Sequence, residues 1–169
     1  MNFPDKIRIV VITLSDRASR GDYEDLSGPA LASQIREFFD KPEFRIKIET
    51  VIIPDDPQRL SALLLKYRAA GTEVVFTTGG TGLGPRDFTP DVVKPILDKE
   101  IPGIMEMIRV KYGADKPAAL ISRSIAGVTG RTLVYCLPGS IRAVEEYSRV
   151  ILPTIVHSIR MILAIDDHA

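Results

Sequence analysis

Residues 73–91 read EVVFTTGGTGLGPRDFTPD, and this stretch decides the fold. A β-rich run leads into a loop with four glycines, and a charged pair and the segment Thr89-Pro90-Asp91 follow. Thr89 can cap a helix that begins there, and Pro90 suits its first turn. A strand, a glycine loop and a helix start are the parts from which α/β proteins build phosphate sites. The pattern predicts such a site or, as the plainer alternative, only a tight turn that is rich in glycine.

The overall composition excludes several classes of protein. A chain of 169 residues with 45% hydrophobic and 26% charged residues is typical of one globular domain, which we expect to span residues 1–169. Lys plus Arg equals Asp plus Glu at 22 each, so no overall field favours nucleic acid or an anionic membrane as a partner. The polar N-terminal sequence and the lack of any apolar stretch near 18 residues predict a cytoplasmic protein.

Strands and helices are predicted to alternate along the chain. Residues 7–14 form a continuous apolar run, which is typical of a strand buried on both faces of a parallel sheet. We expect further strands at 44–53, 73–77, 118–121 and 132–137, a glycine loop at 126–131, and helices between the strands. Pro95 should break one helix, and Pro153 should divide or kink the last. The alternation predicts a three-layer α/β/α fold with a mostly parallel central sheet.

Polar residues follow the predicted strands where those strands end. Ligands of open α/β sheets bind outside the carboxyl ends of the strands, so these residues are expected to converge on one crevice. They are Ser15-Asp16, Asp55, Thr78-Gly79-Gly80, Ser122-Arg123 and Leu137-Pro138-Gly139. The polar stretch 18–28, with Asp22, Glu24 and Asp25, is expected to be a solvated loop.

Two carboxylates close to a phosphate loop suit a magnesium–nucleotide site. Mg²⁺ prefers one or two carboxylates together with phosphate oxygens and water, and Asp55 and Asp87 are the candidates. A solvated loop carboxylate remains the alternative for Asp55. Arg86 is expected either to contact phosphate or to pair with Asp87 or Asp91. The loop lacks the Lys-Ser/Thr ending of a P-loop and the spacing of a dinucleotide fingerprint.

Covalent catalysis is not favoured by the residues available. Cys136 lies in an apolar run, which is typical of a buried and unreactive thiol. His157 and His168 lie far along the chain from every glycine loop, so we expect surface or packing roles for both. Phosphoryl or nucleotidyl transfer through positioning and charge neutralisation fits this inventory better.

Six motifs together resemble the molybdopterin adenylyltransferase family, the MogA/MoaB group that includes the G domain of gephyrin-type proteins. They occur in the family's order over nearly the whole chain: SDRAS at 15–19, IPD at 53–55, TTGGTG at 77–82, RDFTPD at 86–91, SRSIAG at 122–127 and LPGS at 137–140. The resemblance implies a compact α/β fold, a homotrimer or a hexamer, and a role in molybdenum cofactor synthesis. It implies that ATP with Mg²⁺ and molybdopterin are the substrates, and that the product passes to a molybdate-inserting enzyme.

The resemblance also implies roles for individual residues. Asp55 and Asp87 match the family's catalytic, metal-associated positions. Nucleotide binding is implied for Thr78, Gly79, Gly80, Thr81, Gly82, Pro138, Gly139 and Ser140. Binding on the pterin side is implied for Ser15, Asp16, Ser122 and Arg123.

The chain departs from the family pattern after the Leu-Pro-Gly turn. Family members often continue with Pro and Lys, whereas here Ser140 is followed by Ile141-Arg142. Arg142 can supply the positive charge, although as a planar fork rather than a point charge. The sequence leans towards MoaB-like members, so two hypotheses stand: an active adenylyltransferase, or a molybdopterin-binding or pathway partner protein that transfers no AMP.

Overall fold

Six strands form one sheet in the computed structural model, which describes residues 2–165. The strands are β1 (Ile7–Leu14), β2 (Ile46–Ile53), β3 (Val74–Thr78), β4 (Lys99–Glu100), β5 (Ala126–Thr129) and β6 (Thr132–Leu137). Their order in the sheet is β2-β1-β3-β6-β5-β4. The pairs β2–β1, β1–β3 and β3–β6 are parallel, and β6–β5 and β5–β4 are antiparallel. The predicted mostly parallel sheet is therefore confirmed.

Helices cover both faces of this sheet. They are α1 (Asp16–Arg20), α2 (Ser27–Phe38), α3 (Pro57–Ala69), α4 (Thr89–Val93), α5 (Pro102–Gly113) and α6 (Ile141–Ile162), with 3₁₀ helices at Lys94–Ile96 and Pro117–Ile121. One apolar core joins the sheet to α2, α5 and α6, and a second joins the opposite face to α3 and α4. The three-layer α/β/α fold is thereby confirmed. Within residues 2–165 no helix has both the length and the apolar character that crossing a membrane requires.

The register of the parallel strands brings their carboxyl ends to one level. Leu14 pairs with Ile53, the last residues of β1 and β2. Thr13 pairs with Thr78, and Thr78 with Leu137, so β3 and β6 end beside them. Segments that leave these strands therefore begin at one edge of the sheet, and that edge carries the candidate site.

The strand expected at 118–121 is wrong. Pro117–Ile121 is a 3₁₀ helix in which the Ala119 N–H donates to the Lys116 carbonyl oxygen at 2.8 Å. Pro117 fixes its own φ and favours this turn. The glycine loop expected at 126–131 is also wrong for most of its length, because β5 pairs with β6 and the turn between them lies at Gly130, with φ of 59°.

The predictions for Pro95, Pro153 and the Thr89 cap had different outcomes. The break at Pro95 is confirmed, because α4 gives way to the 3₁₀ helix Lys94–Ile96. Pro153 was expected to divide or kink the last helix; the division is wrong, since α6 continues through Pro153 with buried residues on both sides of it, and the kink stays a prediction. Thr89 is not the cap of α4 but its first residue, and its hydroxyl donates instead to the Gly79 carbonyl oxygen at 2.9 Å.

Candidate functional site

Three adjoining cavities open at the carboxyl edge of the parallel strands. The glycine-loop cavity, of about 350 Å³, is lined by residues that include 80–82, Asp87, Lys116, Ser122 and 138–140. The hydroxyl cavity, of about 360 Å³, is lined by Thr13, Ser15, Asp25, Ser27, Gly139 and Ser140 among others. The carboxylate cavity, of about 490 Å³, includes Ser15, Asp16, Asp55, Gly80, Gly84, Arg86 and Asp87. Each pair of cavities shares residues, so together they offer room for a ligand with several distinct parts.

The glycine loop has a backbone that other residues could not adopt without strain. Gly79 and Gly80 have φ of 102° and 66°, which L side chains rarely adopt. A Cβ at Gly79 would lie 2.7 Å from the Leu14 carbonyl oxygen, and one at Gly80 would lie 2.4 Å from the Thr89 hydroxyl oxygen. The loop also lies against the turn after β6, since a Cβ on Gly139 would be 3.3 Å from the Gly79 Cα.

Several backbone amides of these two segments are free to bind a ligand. The N–H groups of Gly80, Thr81, Gly82, Gly139 and Ser140 donate to no other residue within 2–165. Unpaired amides on adjoining loops can form a concave site for an anion. Thr78 and Gly79 differ from these residues, because neither lines any of the three cavities.

Asp87 is fixed by the loop that precedes it. Its Oδ2 accepts a hydrogen bond from the Gly84 N–H at 2.8 Å, and its own N–H donates to the Gly84 carbonyl oxygen. A Cβ at Gly82 or Gly84 would lie 2.7 or 2.9 Å from Oδ2. The two glycines thus make the space in which this carboxylate sits, between the glycine-loop and carboxylate cavities.

Asp16 and Asp55 lie side by side because of the β1–β2 register. Each follows the paired residues Leu14 and Ile53 by two positions. The Asp55 N–H donates to Asp16 Oδ1 at 3.0 Å, and the Asp16 N–H donates to Asp55 Oδ2 at 3.4 Å. The Asp55 side chain is 17% exposed, which contradicts the alternative of a freely solvated loop carboxylate.

Arg86 pairs with these two carboxylates. Its Nη1 lies 2.9 Å from Asp16 Oδ2, and its Nη2 lies 3.6 Å from Asp55 Oδ2. The expected pairing of Arg86 with Asp87 or Asp91 is therefore wrong. The β1–β2 register gathers two carboxylates within reach of this side chain. The two expected partners have other contacts, Asp87 with the Gly84 N–H and Asp91 with Arg123.

Arg123 braces the loop instead of facing the cavities. Its guanidinium donates to the carbonyl oxygens of Gly82 and Asp87 and to both carboxylate oxygens of Asp91. Its N–H donates to the Thr81 carbonyl oxygen at 2.9 Å. Arg123 lines none of the three cavities, and these contacts give it a structural role; its contact with substrate stays a prediction. Asp91, in the first turn of α4, is its ion-pair partner.

The other predicted pterin-side residues do border the cavities. The Ser122 hydroxyl accepts from the Tyr147 hydroxyl at 3.0 Å and lies in the glycine-loop cavity. Ser15 lines the other two cavities, and its hydroxyl accepts from the Ala18 N–H at 3.2 Å as the cap of α1. Part of the loop expected from residue 18 is therefore helical.

The sequence patterns do not predict a network of hydroxyl groups around one carboxylate that the structure contains. Asp25 accepts hydrogen bonds from the Thr13 hydroxyl at 2.7 Å, from the Ser27 hydroxyl and N–H, and from the Gly28 N–H. The Thr78 hydroxyl, fully buried, contacts those of Thr13 and Ser27. The expectation that Asp25 is solvated is wrong. The signal was its position two residues before the helix start, where a short acidic side chain can bind free amides.

The cations near the site are arranged differently from the expectation. Arg142 pairs with Glu146 at 2.8 Å on the surface of α6 and lines none of the three cavities. Lys116 lies in the glycine-loop cavity and forms no ion pair within the described part of the chain. It is thus placed to supply the charge that Arg142 was expected to bring to the turn at 138–140.

Cys136 and His157 line none of the three cavities. Cys136 is fully buried, as expected, and desolvation raises the pKa of its thiol to about 12. His157 lies on the exposed side of α6, and His168 lies outside the described residues.

Comparison with known proteins gives one consistent result. Residues 10–157 match the family described as a probable molybdopterin binding domain. The chain is 37% identical over 158 residues to gephyrin from Dictyostelium discoideum, covering 90% of this chain and 22% of that protein. It is 34% identical over 161 residues to molybdopterin adenylyltransferase from Helicobacter pylori strain J99, covering 93% of this chain and 88% of that protein.

A solved structure agrees with these sequence matches. The tungsten cofactor synthesizing protein MoaB from Pyrococcus furiosus superposes with a TM-score of 0.81 at 31% identity, over 94% of this chain and 98% of that one. The chain spans about a fifth of gephyrin but most of the other two proteins. The family match covers most of this chain, including all three cavities' glycine and carboxylate residues. The chain therefore belongs to the molybdopterin-binding domain family that its motifs resemble.

Proposed function

We propose that this protein is a molybdopterin adenylyltransferase, which transfers AMP from ATP to the terminal phosphate of molybdopterin and releases pyrophosphate. One observation carries the proposal: Asp55 and Asp87, from separate segments, border one cavity together with the end of the glycine loop. The relative from Helicobacter pylori bears the name of this activity and aligns over most of both chains.

The chemistry asks little of the protein as an acid or base. An oxygen of the molybdopterin phosphate attacks the α-phosphorus of ATP, and the bond from that phosphorus to the bridging oxygen of pyrophosphate breaks. The attacking phosphate is already anionic at neutral pH, so no strong base is needed. The barrier comes from bringing two anions together, and positioning with charge neutralisation lowers such a barrier.

The residues of the three cavities fit these tasks. The free amides of Gly80, Thr81 and Gly82 would bind phosphate oxygens, and Lys116, which lines the same cavity, would add a positive charge. The turn at 138–140 borders both the glycine-loop and hydroxyl cavities, so its amides would orient a substrate that extends between them. Ser15 and Ser122 would bind polar groups of the second substrate, while Arg123 and Thr89 hold the loop in place.

The donor set at Asp55 and Asp87 fits Mg²⁺ that arrives with a nucleotide. Within residues 2–165 no three acidic, histidine or cysteine side chains are grouped as a complete metal site. Mg²⁺ at nucleotide sites is commonly held by one or two carboxylates plus phosphate oxygens and water. A cationic guanidinium already lies against Asp55 and Asp16, which shows that positive charge is accommodated there. When bound, Mg²⁺ would neutralise charge on the triphosphate, and Asp55 and Asp87 would hold it.

The proposal is tested by mass spectrometry of the product. Purified protein is incubated with ATP, Mg²⁺ and molybdopterin, and the AMP adduct is measured. Asp55→Asn and Asp87→Asn should each lower the rate by about 10²-fold or more, the size typical of losing one charge-stabilising group. Asp22→Asn is the control, because Asp22 is an exposed carboxylate that pairs with Arg20 outside the three cavities. Wild-type turnover by Asp87→Asn at saturating Mg²⁺ would remove Asp87 from this role.

A binding protein without transferase activity is the second candidate. The turn at 138–140 lacks the cation expected after it, since Arg142 is held by Glu146, and a MoaB protein is among the structural relatives. A protein that binds molybdopterin tightly and yields no adduct with ATP would have this function. Two carboxylates beside the glycine loop favour the enzyme, because a binder has no need of a metal-holding pair.

We further propose a homotrimer, with a hexamer as the alternative, acting in the cytoplasm. Large apolar side chains are exposed on α5 and the following 3₁₀ helix, at Met107, Val110, Leu120 and Ile121. Such a patch is typical of a surface that is covered in an assembly. Analytical ultracentrifugation gives the number of copies. The adenylated product would then pass to a molybdate-inserting enzyme, which a pull-down with the adduct bound can identify.

A further inference from the structure

The inference concerns Arg86 and rests on the proposed function. We propose that Arg86 is a displaceable counter-cation. In the ligand-free protein its guanidinium neutralises Asp16 and Asp55. When the metal–nucleotide complex arrives, Asp55 exchanges the guanidinium for the metal, which it would hold together with Asp87. The released guanidinium then binds the phosphate chain in the same cavity.

The contacts of Arg86 show which partner can leave. The Arg86 side chain is 73% exposed, whereas those of Asp16 and Asp55 are 25% and 17% exposed. Asp16 and Asp55 also hold each other through reciprocal hydrogen bonds to their backbone N–H groups. Arg86 makes no other side-chain hydrogen bond or ion pair among residues 2–165. The carboxylates are therefore fixed, and the guanidinium reaches them from solvent.

The backbone keeps a released Arg86 inside the site. The turn from Gly84 to Asp87 is closed by two hydrogen bonds, from Asp87 N–H to the Gly84 carbonyl oxygen and from Gly84 N–H to Asp87 Oδ2. Arg86 lies within that turn, next to the proposed metal-holding Asp87. Only its side chain has to rotate, so the positive charge stays in the carboxylate cavity and can contact an anion there.

The balance of forces suits an exchange. Two neighbouring, mostly shielded carboxylates repel each other unless a cation lies close to both. Ion pairs with an exposed partner are weak, each changing an equilibrium constant by a factor of about one to five. A divalent ion interacts more strongly with the same oxygens, while phosphate offers the guanidinium a bidentate partner. The metal and the nucleotide together can thus replace the ion pairs of Arg86, whereas either one alone replaces them less well.

Asp16 acquires a role different from the predicted substrate contact. Its backbone N–H and side chain both bind Asp55, and its second oxygen binds Arg86. Asp16 is therefore a positioning residue for Asp55, and it shares the counter-cation with it.

The test compares cation and phosphate affinities in variants that differ by one charge. Mn²⁺, which electron paramagnetic resonance detects directly, replaces Mg²⁺ and is titrated without nucleotide into wild type, Arg86→Gln, Arg86→Lys and Arg20→Gln. Arg20→Gln is the matched control, because Arg20 also forms an exposed ion pair, with Asp22, and lines none of the three cavities. Affinity for pyrophosphate with Mg²⁺ is then measured by calorimetry.

Arg86→Gln should change the two affinities in opposite directions. Mn²⁺ alone should bind about two- to tenfold more tightly, because the competing cation is gone, and pyrophosphate should bind more weakly by a similar factor. Arg86→Lys should stay near wild type for Mn²⁺, and Arg20→Gln should leave both affinities unchanged. If Arg86 were only a structural brace, its removal would instead weaken the affinities for both Mn²⁺ and pyrophosphate.

Several results would overturn the inference. These are Mn²⁺ binding by Arg86→Gln that is no tighter than wild type, an equal gain from Arg20→Gln, or unchanged pyrophosphate affinity. Failure of the proposed function is a separate result, because it is scored by the AMP adduct of molybdopterin. Adduct formation with no shift in Mn²⁺ affinity overturns the counter-cation alone, and the opposite combination overturns the transferase alone.

Discussion

Replacing Gly80 by Ala tests how the glycine loop is held. Gly80 has φ of 66°, and a Cβ there would lie 2.4 Å from the Thr89 hydroxyl oxygen. The left-handed backbone costs a non-glycine residue about 1–2 kcal/mol, and forcing an extra methyl into a packed site costs about 1–3 kcal/mol. Gly80→Ala should therefore lower the free energy of unfolding by about 2–5 kcal/mol.

A second position separates backbone strain from the clash. Gly21 has a similar φ of 80°, but a Cβ there has no other atom within 4 Å. Gly21→Ala should cost only the backbone term of about 1–2 kcal/mol. Both variants are measured by urea unfolding at one protein concentration, since assembly would make stability depend on concentration.

The double variant Gly80→Ala/Thr89→Ala isolates the contact. Thr89→Ala alone loses the hydrogen bond to the Gly79 carbonyl oxygen, at about 1–2 kcal/mol. In the double variant the clashing oxygen is absent, so its total cost should fall about 1–3 kcal/mol below the sum of the single variants. Additive costs, within about 0.5 kcal/mol, would refute the argument that Thr89 excludes a side chain at Gly80.

Three other experiments test separate features of the structure. Lys116→Gln should weaken ATP binding about three- to tenfold by calorimetry, while Arg142→Gln, which removes a charge outside the cavities, should not. Asp25→Ala should lower the free energy of unfolding by about 1–2 kcal/mol, because it removes the acceptor for the first amides of α2. Cys136 should resist iodoacetamide at pH 9 until the protein is unfolded, because burial raises the pKa of its thiol to about 12 and keeps the thiol protonated at that pH. Mass spectrometry measures the label, and rapid labelling of the folded protein would contradict the burial of Cys136.

The fold was largely predictable because parallel strands have a strong sequence signature. The run at 7–14 and the run at 132–137 are largely apolar on both faces, which is typical of strands in a sheet that is covered on both sides. Short segments carried no such signal. Residues 118–121 are apolar over one turn only, and a strand cannot be told from a 3₁₀ helix over that length.

The carboxylates of the site were predictable one by one, but their partners were not. Asp55 follows a strand end and Asp87 follows a glycine loop, and both positions are informative in isolation. Which acid lies beside Arg86 depends on β1 and β2 being neighbours in a register that pairs Leu14 with Ile53. That information is tertiary, so no local pattern could assign Asp16 as a partner of Asp55.

Arg123 shows a further reason why site predictions fail. A basic residue in a family motif can serve the loop as well as the ligand, and its sequence does not distinguish the two. Here the guanidinium of Arg123 donates hydrogen bonds to the carbonyl oxygens of Gly82 and Asp87. The loop then needs this arginine for its shape.

The alignment of the carboxyl ends of the four parallel strands has a thermodynamic consequence. The cavities combine residues from Thr13 to Tyr147, so no fragment of an unfolded chain retains the site. Any ligand should therefore bind the native protein alone and stabilise all of it, by about 2.7 kcal/mol at a hundred times its dissociation constant. A rise in melting temperature would then report occupancy by either substrate even when no transfer takes place. The sheet edge that gathers the site thus makes thermal unfolding a direct measure of which compounds it accepts.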